Sequence, residues 1–357
     1  MARPINLCDY ERLAPERLPT LVYDYYAGGA NDELTLAENL QAWGRWHLRP
    51  RILVDVADID PHTTVLGHPL AMPVLTAPCA FNALAHPEGE CAVARAATSA
   101  GIIQIVSTLS TQSLEEVATA ANGQRWFQLY CYRDRGVTRA LVERAEAAGY
   151  TALCLTVDVP VAGQRERDIR NGFGLPAGMR CKNLTPVGLD QIELVADDSA
   201  LQRYINELLD RHLTWESVAW LRSITRLQLL IKGILTGEDA DLAIEHGVTG
   251  IIVSNHGGRQ LDGVLSTCEV LPEVVETVAQ RAEVLVDGGI RRGTDVLKAL
   301  ALGARAVLIG RPYLWGLAVE GEAGVRHVLE LLHQEIVLAM ALVGRPVVSA
   351  IDRTLLA

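Results

Sequence analysis

No run of about 18 apolar residues occurs anywhere in the 357-residue sequence, so no segment is expected to cross a membrane as a helix. The opening MARPINLCDYERL carries no long apolar stretch and is not expected to act as a secretory signal. The final residues, Asp352 to Ala357, do not form the Ser-Lys-Leu address of peroxisomes, which makes the cytosol the expected location. Positive charge is in short supply: 32 Lys and Arg stand against 43 Asp and Glu, for a net charge of −11. Nucleic-acid backbones and anionic membranes both reward basic surfaces, so neither is an expected partner. A small anionic substrate stays open, because a few local arginines can outweigh the overall field. Paired cysteines are missing too. The seven cysteines, at 8, 79, 91, 131, 154, 181 and 268, contain no C-x-x-C and no Cys/His ligand spacing. They are expected as reduced thiols, with no disulfide and no metal site.

What is present is a rhythm. Hydrophobic residues make up 49% of the chain and charged residues 21%, enough for a large core. Eight short apolar runs end in polar or glycine residues: 73–78, 102–108, 125–130, 152–158, 228–233, 250–255, 283–289 and 306–311. Runs of Val, Ile and Leu without strict alternation suit strands of a parallel sheet, which are covered on both faces. Helix patterns fill most gaps between them. Pro87 and Gly101 bracket one; a second runs from Thr138 to Ala148, with apolar residues at 141, 142 and 145. Thr236 and Asp239 resemble a capping box ahead of Ala240, Ala243 and Ile244. Thr294 is expected to cap a helix whose inner face is Val296, Leu297, Leu300 and Ala301.

Eight alternations of strand and helix predict a closed (β/α)8 TIM barrel, with an open doubly wound sheet as the alternative. The whole chain, 1–357, is expected to be one domain, with the barrel over 73–341. Residues 1–72 form an N-terminal extension of helices and a hairpin over 63–70 that plugs the lower end. Residues 159–227 form a long loop after strand four, helical near Thr214 to Leu221 and expected to serve as a lid.

In such a barrel the chemistry lies where strands end. The strand ends carry Pro78, Cys79 and Ala80, then Ser107 and Thr108, Gln128 and Tyr130, Thr156 and Asp158, and Lys232. They continue through Ser254, Asn255 and His256, then Asp287, Gly288 and Gly289, and end with Gly310 and Arg311. Glycines and arginines in DGGIRRG (287–293) and IGR (309–311) point to a ligand with a phosphate group, held by backbone N–H groups, a helix N-terminus and guanidinium forks. A lysine closing an apolar strand stabilises an anionic cofactor or, on a competing reading, forms a Schiff base. His256, freed by Gly257 and Gly258, is a candidate general base, and Asp158 a carboxylate to orient it; Arg259 can grip a substrate carboxylate.

These residues carry a resemblance. Tyr23 to Ala30 (YDYYAGGA), Ala85 to Glu90 (AHPEGE), FQLY (127–130), LTVD (155–158), SNHGGRQLDG (254–263) and DGGIRRGTDVLKALALGA (287–304) are similar to the FMN-dependent L-2-hydroxy acid oxidases and dehydrogenases over nearly the whole chain. STLST (107–111) and GQRERD (163–168) most resemble lactate oxidases of the cyanobacterial type. The resemblance implies FMN as cofactor, a homotetramer, and a small 2-hydroxy acid oxidised to the 2-keto acid with O2 reduced to hydrogen peroxide. It implies that His256 takes a proton as the C2 hydrogen passes to flavin N5, with Asp158 in support and Tyr130 bonding near the hydroxyl. Tyr25, Arg165 and Arg259 would hold the substrate carboxylate, and Lys232 would lie beside flavin N1. Pro78, Cys79, Ala80, Ser107, Gln128, Thr156 and Ser254 would contact the ring. Asp287, Gly288, Gly289, Arg291, Gly310 and Arg311 would hold the tail and phosphate. Glycolate oxidases carry Trp where this chain has Leu109, so lactate or larger acids are expected to fit better than glycolate. Other readings stay open: a dehydrogenase passing electrons to a quinone or protein, and an FMN-barrel isomerase or non-catalytic flavin-binding protein.

Overall fold

The computed structural model describes residues 3–190 and 199–357. Two short antiparallel strands, β1 (Thr63–Val65) and β2 (His68–Leu70), form a hairpin ahead of the main sheet. Eight parallel strands follow: β3 (Val74–Thr76), β4 (Gln104–Val106), β5 (Arg125–Leu129), β6 (Ala152–Thr156), β7 (Gln228–Ile234), β8 (Gly250–Val253), β9 (Glu283–Asp287) and β10 (Ala306–Ile309). Each falls within one of the eight apolar runs or within a residue of it, and β10 pairs with β3 to close the barrel. The open-sheet alternative is thereby set aside.

Alternation along each strand divides two cores. On β6, Ala152 and Cys154 join the barrel interior while Leu153 and Leu155 face the surrounding helices. Both faces are apolar because both are covered, which is why these runs show no polar alternation. Each fully buried Leu or Val contributes roughly 1.5–3 kcal/mol, so the double cover is the main source of stability. Val65 and Leu70 of the hairpin join the interior cluster beside Leu75, Ile103 and Trp126. Leu66 N donates to Glu283 Oε2 (2.8 Å) at the start of β9, so the hairpin closes the lower end as expected.

The helices differ from expectation mainly at their starts. The one expected from Thr138 runs Arg135–Ala147, because the Asp134 side chain caps it by accepting from Gly136 N (2.7 Å). At Gly237–Glu245, Thr236 Oγ1 accepts from Asp239 N (3.2 Å), but the Asp239 carboxylate takes the Thr236 hydroxyl, leaving half a box. Thr294 is not a cap. It lies inside the helix Gly293–Ala301, and the Asp295 carboxylate accepts from Arg291 N (3.0 Å) and Arg292 N (2.9 Å) instead. Val296, Leu297, Leu300 and Ala301 are buried as expected.

The long segment between β6 and β7 holds more structure than its Gly- and Pro-rich composition suggests. It contains the helices Glu166–Arg170, Ala200–Leu208 and Trp215–Ile224, the last being the helix expected near Thr214. Part of the expected lid, residues 191–198, lies outside the described residues. The N-terminal extension reaches both ends of the barrel. Beyond the hairpin, Ala30 N donates to Gly258 O (2.8 Å) and Trp43 Nε1 to Gly288 O (2.9 Å), so its helices brace the loops after β8 and β9. Among the described residues, no helix is long and apolar enough to cross a membrane.

Candidate active site

Beyond β8 the chain turns sharply, with His256, Gly257 and Gly258 all left-handed (φ 59°, 64° and 74°). A histidine in that region costs about 1–2 kcal/mol, so its neighbours must hold it there. Asn255 does so by exchanging two hydrogen bonds with Asn39 (2.8 Å each), and its Oδ1 also accepts from Gly258 N (3.1 Å). The turn aims His256 across the barrel mouth at Asp158, with Nδ1 and Oδ1 2.9 Å apart. Nδ1 then carries the proton and Nε2 keeps its lone pair. Burial pushes the imidazole below its usual range; Asp158 opposes this, while the charges of Lys232 and Arg165 add to it. Burial likewise pushes the Asp158 carboxyl up, but His256 and Lys232 outweigh it and hold it below the carboxylate norm. The pair therefore rests as neutral imidazole against carboxylate, the protonation state of a general base.

Asp158 is seated against Gly233. That residue has φ 110°, and a Cβ there would stand 2.7 Å from Asp158 Cβ. Gly233→Ala should therefore displace Asp158 and strain the backbone by about 1–3 kcal/mol. The expected result is a fall in kcat of at least about ten-fold with a lowered melting temperature; unchanged kcat would show that Asp158 is not held from this side.

Four buried or half-buried arginines converge on the same mouth. Arg165 donates from Nε to Arg259 O (3.2 Å) and from Nη2 to Gln260 Oε1 (3.3 Å). Arg259 Nη1 donates to the carbonyls of Tyr25 (2.6 Å) and Gly28 (2.8 Å), and its guanidinium lies 4.9 Å over the Tyr25 ring. Tyr25 is itself stacked on Phe173, centroids 4.1 Å apart. Arg311 donates to the carbonyls of Tyr26 (2.9 Å), Gly28 (2.8 Å) and Gly257 (3.1 Å). Burial, then the charges of Arg259 and Arg291, push Arg311 down to about 9. Burial and Arg259 likewise lower Arg165. Arg165 and Arg311, whose charges are disfavoured in this way, are short of counter-charge, and an anionic ligand supplies it.

Lys232 Nζ lies 3.0 Å from Asp287 Oδ2 and donates to Ser254 Oγ (2.6 Å). Burial alone would lower its pKa; the carboxylates of Asp287 and Asp158 reverse that, and it stays above the usual lysine value. A Schiff-base lysine needs a neutral amine, so the aldolase-like reading loses its nucleophile.

These groups share one cleft of about 1010 Å³, counting space open to solvent. Its walls include Tyr25, Pro78, Cys79, Ala80, Ser107, Leu109, Tyr130, Arg165, Lys232, His256 and Arg259. At its other end stand Asp287, Gly288, Gly289, Arg291, Gly310 and Arg311. Four residues expected at the site, Gln128, Asp158, Thr156 and Ser254, are not among the cleft walls. Among the described residues, Gln128 Nε2, Thr156 Oγ1 and Asp287 Oδ1 are buried with no hydrogen-bond partner. Of these, Asp287 lies on the cleft wall, and its orphaned oxygen together with the arginine-rich end fits a polar ligand carrying a phosphorylated tail.

The phosphate end departs from expectation in three respects. Arg291 is paired with Glu11, Nε to Oε2 at 3.1 Å. The first N–H groups around the helix Gly293–Ala301 are already taken by Asp295 and Glu335, so that helix start offers an anion little. A Cβ at Gly289 would collide with the Asn39 carbonyl, so this glycine also serves packing against the N-terminal extension. The helical span Arg311–Leu342, which breaks at Glu320 and Gly321, starts after Gly310 and faces the cleft with its N-terminal end. Sequence reasoning missed Leu201 and Ile205, which wall the cleft from Ala200–Leu208, and also Phe173, Asn39 and Gln260. Leu201 and Ile205 left a trace as an i, i+4 apolar pair, and Gln260 lies within SNHGGRQLDG (254–263).

The chain is 55% identical over 360 residues to an L-lactate oxidase of Nostoc sp., covering 100% of this chain and 99% of that protein. It is 52% identical to glycolate oxidase of Spinacia oleracea (98% of this chain, 94% of that one) and 50% identical to human 2-hydroxyacid oxidase 1 (99% and 97%). A solved mandelate oxidase with (S)-4-hydroxymandelic acid superposes with a TM-score of 0.95 at 46% identity, covering 99% of this chain and 98% of that one. Residues 14–357 match the FMN-dependent dehydrogenase family. The chain belongs to that family and is an FMN-dependent enzyme that oxidises 2-hydroxy acids.

Proposed function

We propose that the protein is an (S)-2-hydroxy-acid oxidase that takes lactate or larger acids in preference to glycolate and passes the electrons to O2, forming hydrogen peroxide. The observation that carries this reading is the placement of His256, bonded to Asp158, with Arg165 and Arg259 on the walls of one cleft. Arg165 and Arg259, with the Tyr25 hydroxyl, bind the substrate carboxylate; burial first of all holds that phenol protonated, up to about 12. The carboxylate grip orients the 2-hydroxyl towards His256 Nε2, which accepts its proton. Asp158 stabilises the imidazolium so formed, through the Nδ1–H bond already in place. Tyr130, whose phenol is pushed up by burial and by Asp158, stays protonated and donates to the substrate oxygen. Pro78, Cys79, Ala80, Ser107, Gln128, Thr156, Lys232 and Ser254 would hold the FMN ring, and Asp287, Gly288, Gly289, Arg291, Gly310 and Arg311 its tail. Bound FMN supplies the two-electron acceptor for the substrate.

Leu109, buried in the wall of the same cleft, supports the substrate preference. An indole there would fill the space a methyl or larger group needs. A methylene's worth of fit is about 1–3 kcal/mol, so Leu109→Trp is expected to move the ratio of kcat/KM for glycolate over L-lactate upward by about 10–200-fold. A parent enzyme that already prefers glycolate would end the argument. Running the same substrates with peroxide detection, and anaerobically with a dye or quinone, tests the acceptor. Stoichiometric peroxide is the expected result; flavin bleaching with no peroxide on re-aeration would make the protein a dehydrogenase.

A further inference from the structure

We propose that Gln260 is a positioning residue that joins the base and the carboxylate clamp into one rigid unit, an inference that rests on the roles given above to His256 and Arg165. Its side chain reaches across the barrel mouth to the first residues of the long segment. Nε2 donates to Asp158 O (2.7 Å) and Val161 O (3.0 Å). Oε1 accepts from Gly163 N (3.1 Å) and Arg165 Nη2 (3.3 Å). An amide has two donor hydrogens and two acceptor lone pairs, and all four are used. The partners also fix its orientation, since a flipped amide would face two carbonyls with oxygen and two N–H groups with hydrogen.

The span this amide holds runs from the partner of the base, Asp158, to the clamp, Arg165. It has no regular structure up to the helix Glu166–Arg170 and contains Pro160 and Gly163. Left alone, such a segment would set neither end. A second observation shows how close the docking is: a Cβ on Gly163 would collide with Arg259 O and stand 2.7 Å from Gln260 Cα. Arg165 Nε donates to Arg259 O on the same seam. From the other side, Asn206 Oδ1 accepts from Ala162 N (3.0 Å) and Gln202 Nε2 donates to Gly163 O (2.9 Å). Residues 158–165 are thus bonded to the turn that carries His256 and Arg259, and the spacing between proton acceptor and carboxylate grip is set before substrate arrives. The clamp end of the expected lid is, on this inference, part of the fixed site.

Two substitutions test the amide. Gln260→Met removes all four bonds at similar volume. Gln260→Glu keeps the acceptor half, facing Gly163 and Arg165, and turns the donor half into a repulsion with the Asp158 and Val161 carbonyls. With the FMN-loaded enzyme, Gln260→Met is expected to weaken oxalate binding, read from the flavin absorbance, and to lower kcat for L-lactate, each by at least about ten-fold. The pH midpoint of kcat/KM should also fall, because Asp158 is the group that holds the His256 pKa up. Gln260→Glu should lower kcat and also weaken oxalate binding, because its carboxylate, in place of the Oε1 that lies 3.3 Å from Arg165 Nη2, competes with the anion for the guanidinium. Variants that lose only melting temperature, with oxalate affinity and pH midpoint at parental values, would overturn the proposal. Full turnover by His256→Gln would be a different failure, removing the reading beneath it.

Discussion

His256→Gln is expected to lower kcat/KM for L-lactate by about 10²–10⁴-fold while the protein stays yellow. The imidazole pairs a free lone pair with a fixed counter-charge, through Asp158 at 2.9 Å. Glutamine keeps a polar group of similar reach but cannot accept the proton. The pH dependence has a definite sign. Burial holds the His256 pKa below the usual imidazole value, so the neutral, active form dominates at neutrality. Activity should rise with pH through a midpoint below about 6.5 and then level off. Asp158→Asn should move that midpoint lower still, since the carboxylate is what opposes the burial effect. A steady-state pH profile of kcat/KM, with retained flavin absorbance as the folding control, checks both statements. A midpoint above the ordinary histidine range would mean that another group titrates.

Arg165→Met is expected to raise KM for L-lactate by about 10²–10³-fold, a loss on the order of 3–4 kcal/mol. Arg165 is 6% exposed, and burial and Arg259 both disfavour its charge. A carboxylate arriving beside Arg165 offsets the repulsion from Arg259, so the interaction is stronger than a surface ion pair, typically below about 1 kcal/mol. Arg165→Lys should recover only part of the loss, because an ammonium cannot reproduce the planar fork. Oxalate titrations of the FMN-loaded variants measure the effect without turnover. An Arg165→Met protein that binds oxalate like the parent would move the carboxylate grip to Arg259 and Tyr25.

The barrel could be read from the sequence because its strands are buried on both faces: ALCL in β6 and IIV in β8 have no polar interruption. The cleft could be read because a closed parallel barrel brings every strand's last residues to one rim. What could not be read comes from contacts between distant segments. Asn39 and Asn255 are 216 positions apart, and nothing local in either marks their exchange of hydrogen bonds. Phe173 stacks on Tyr25 from a stretch with no strand or helix period around it. The helix starts differ where an acidic side chain takes the first N–H groups from a position the apolar pattern does not mark, as Asp134 and Asp295 do. DGGIRRG is a phosphate-like sequence, but Asp295, Glu335 and Glu11 occupy several of its donors, and packing on Asn39 explains one of its glycines.

The central claim is that His256, held by Asp158, removes the substrate proton at a site where FMN accepts the electrons. It is tested most directly by mixing the FMN-loaded enzyme anaerobically with L-lactate and following the loss of flavin absorbance across the pH range around neutrality. The expected rate rises through one ionisation below about 6.5, and in His256→Gln it is flat and slower by about 10²–10⁴-fold. Bleaching of His256→Gln at the parental rate, with the parental pH dependence, would contradict the account.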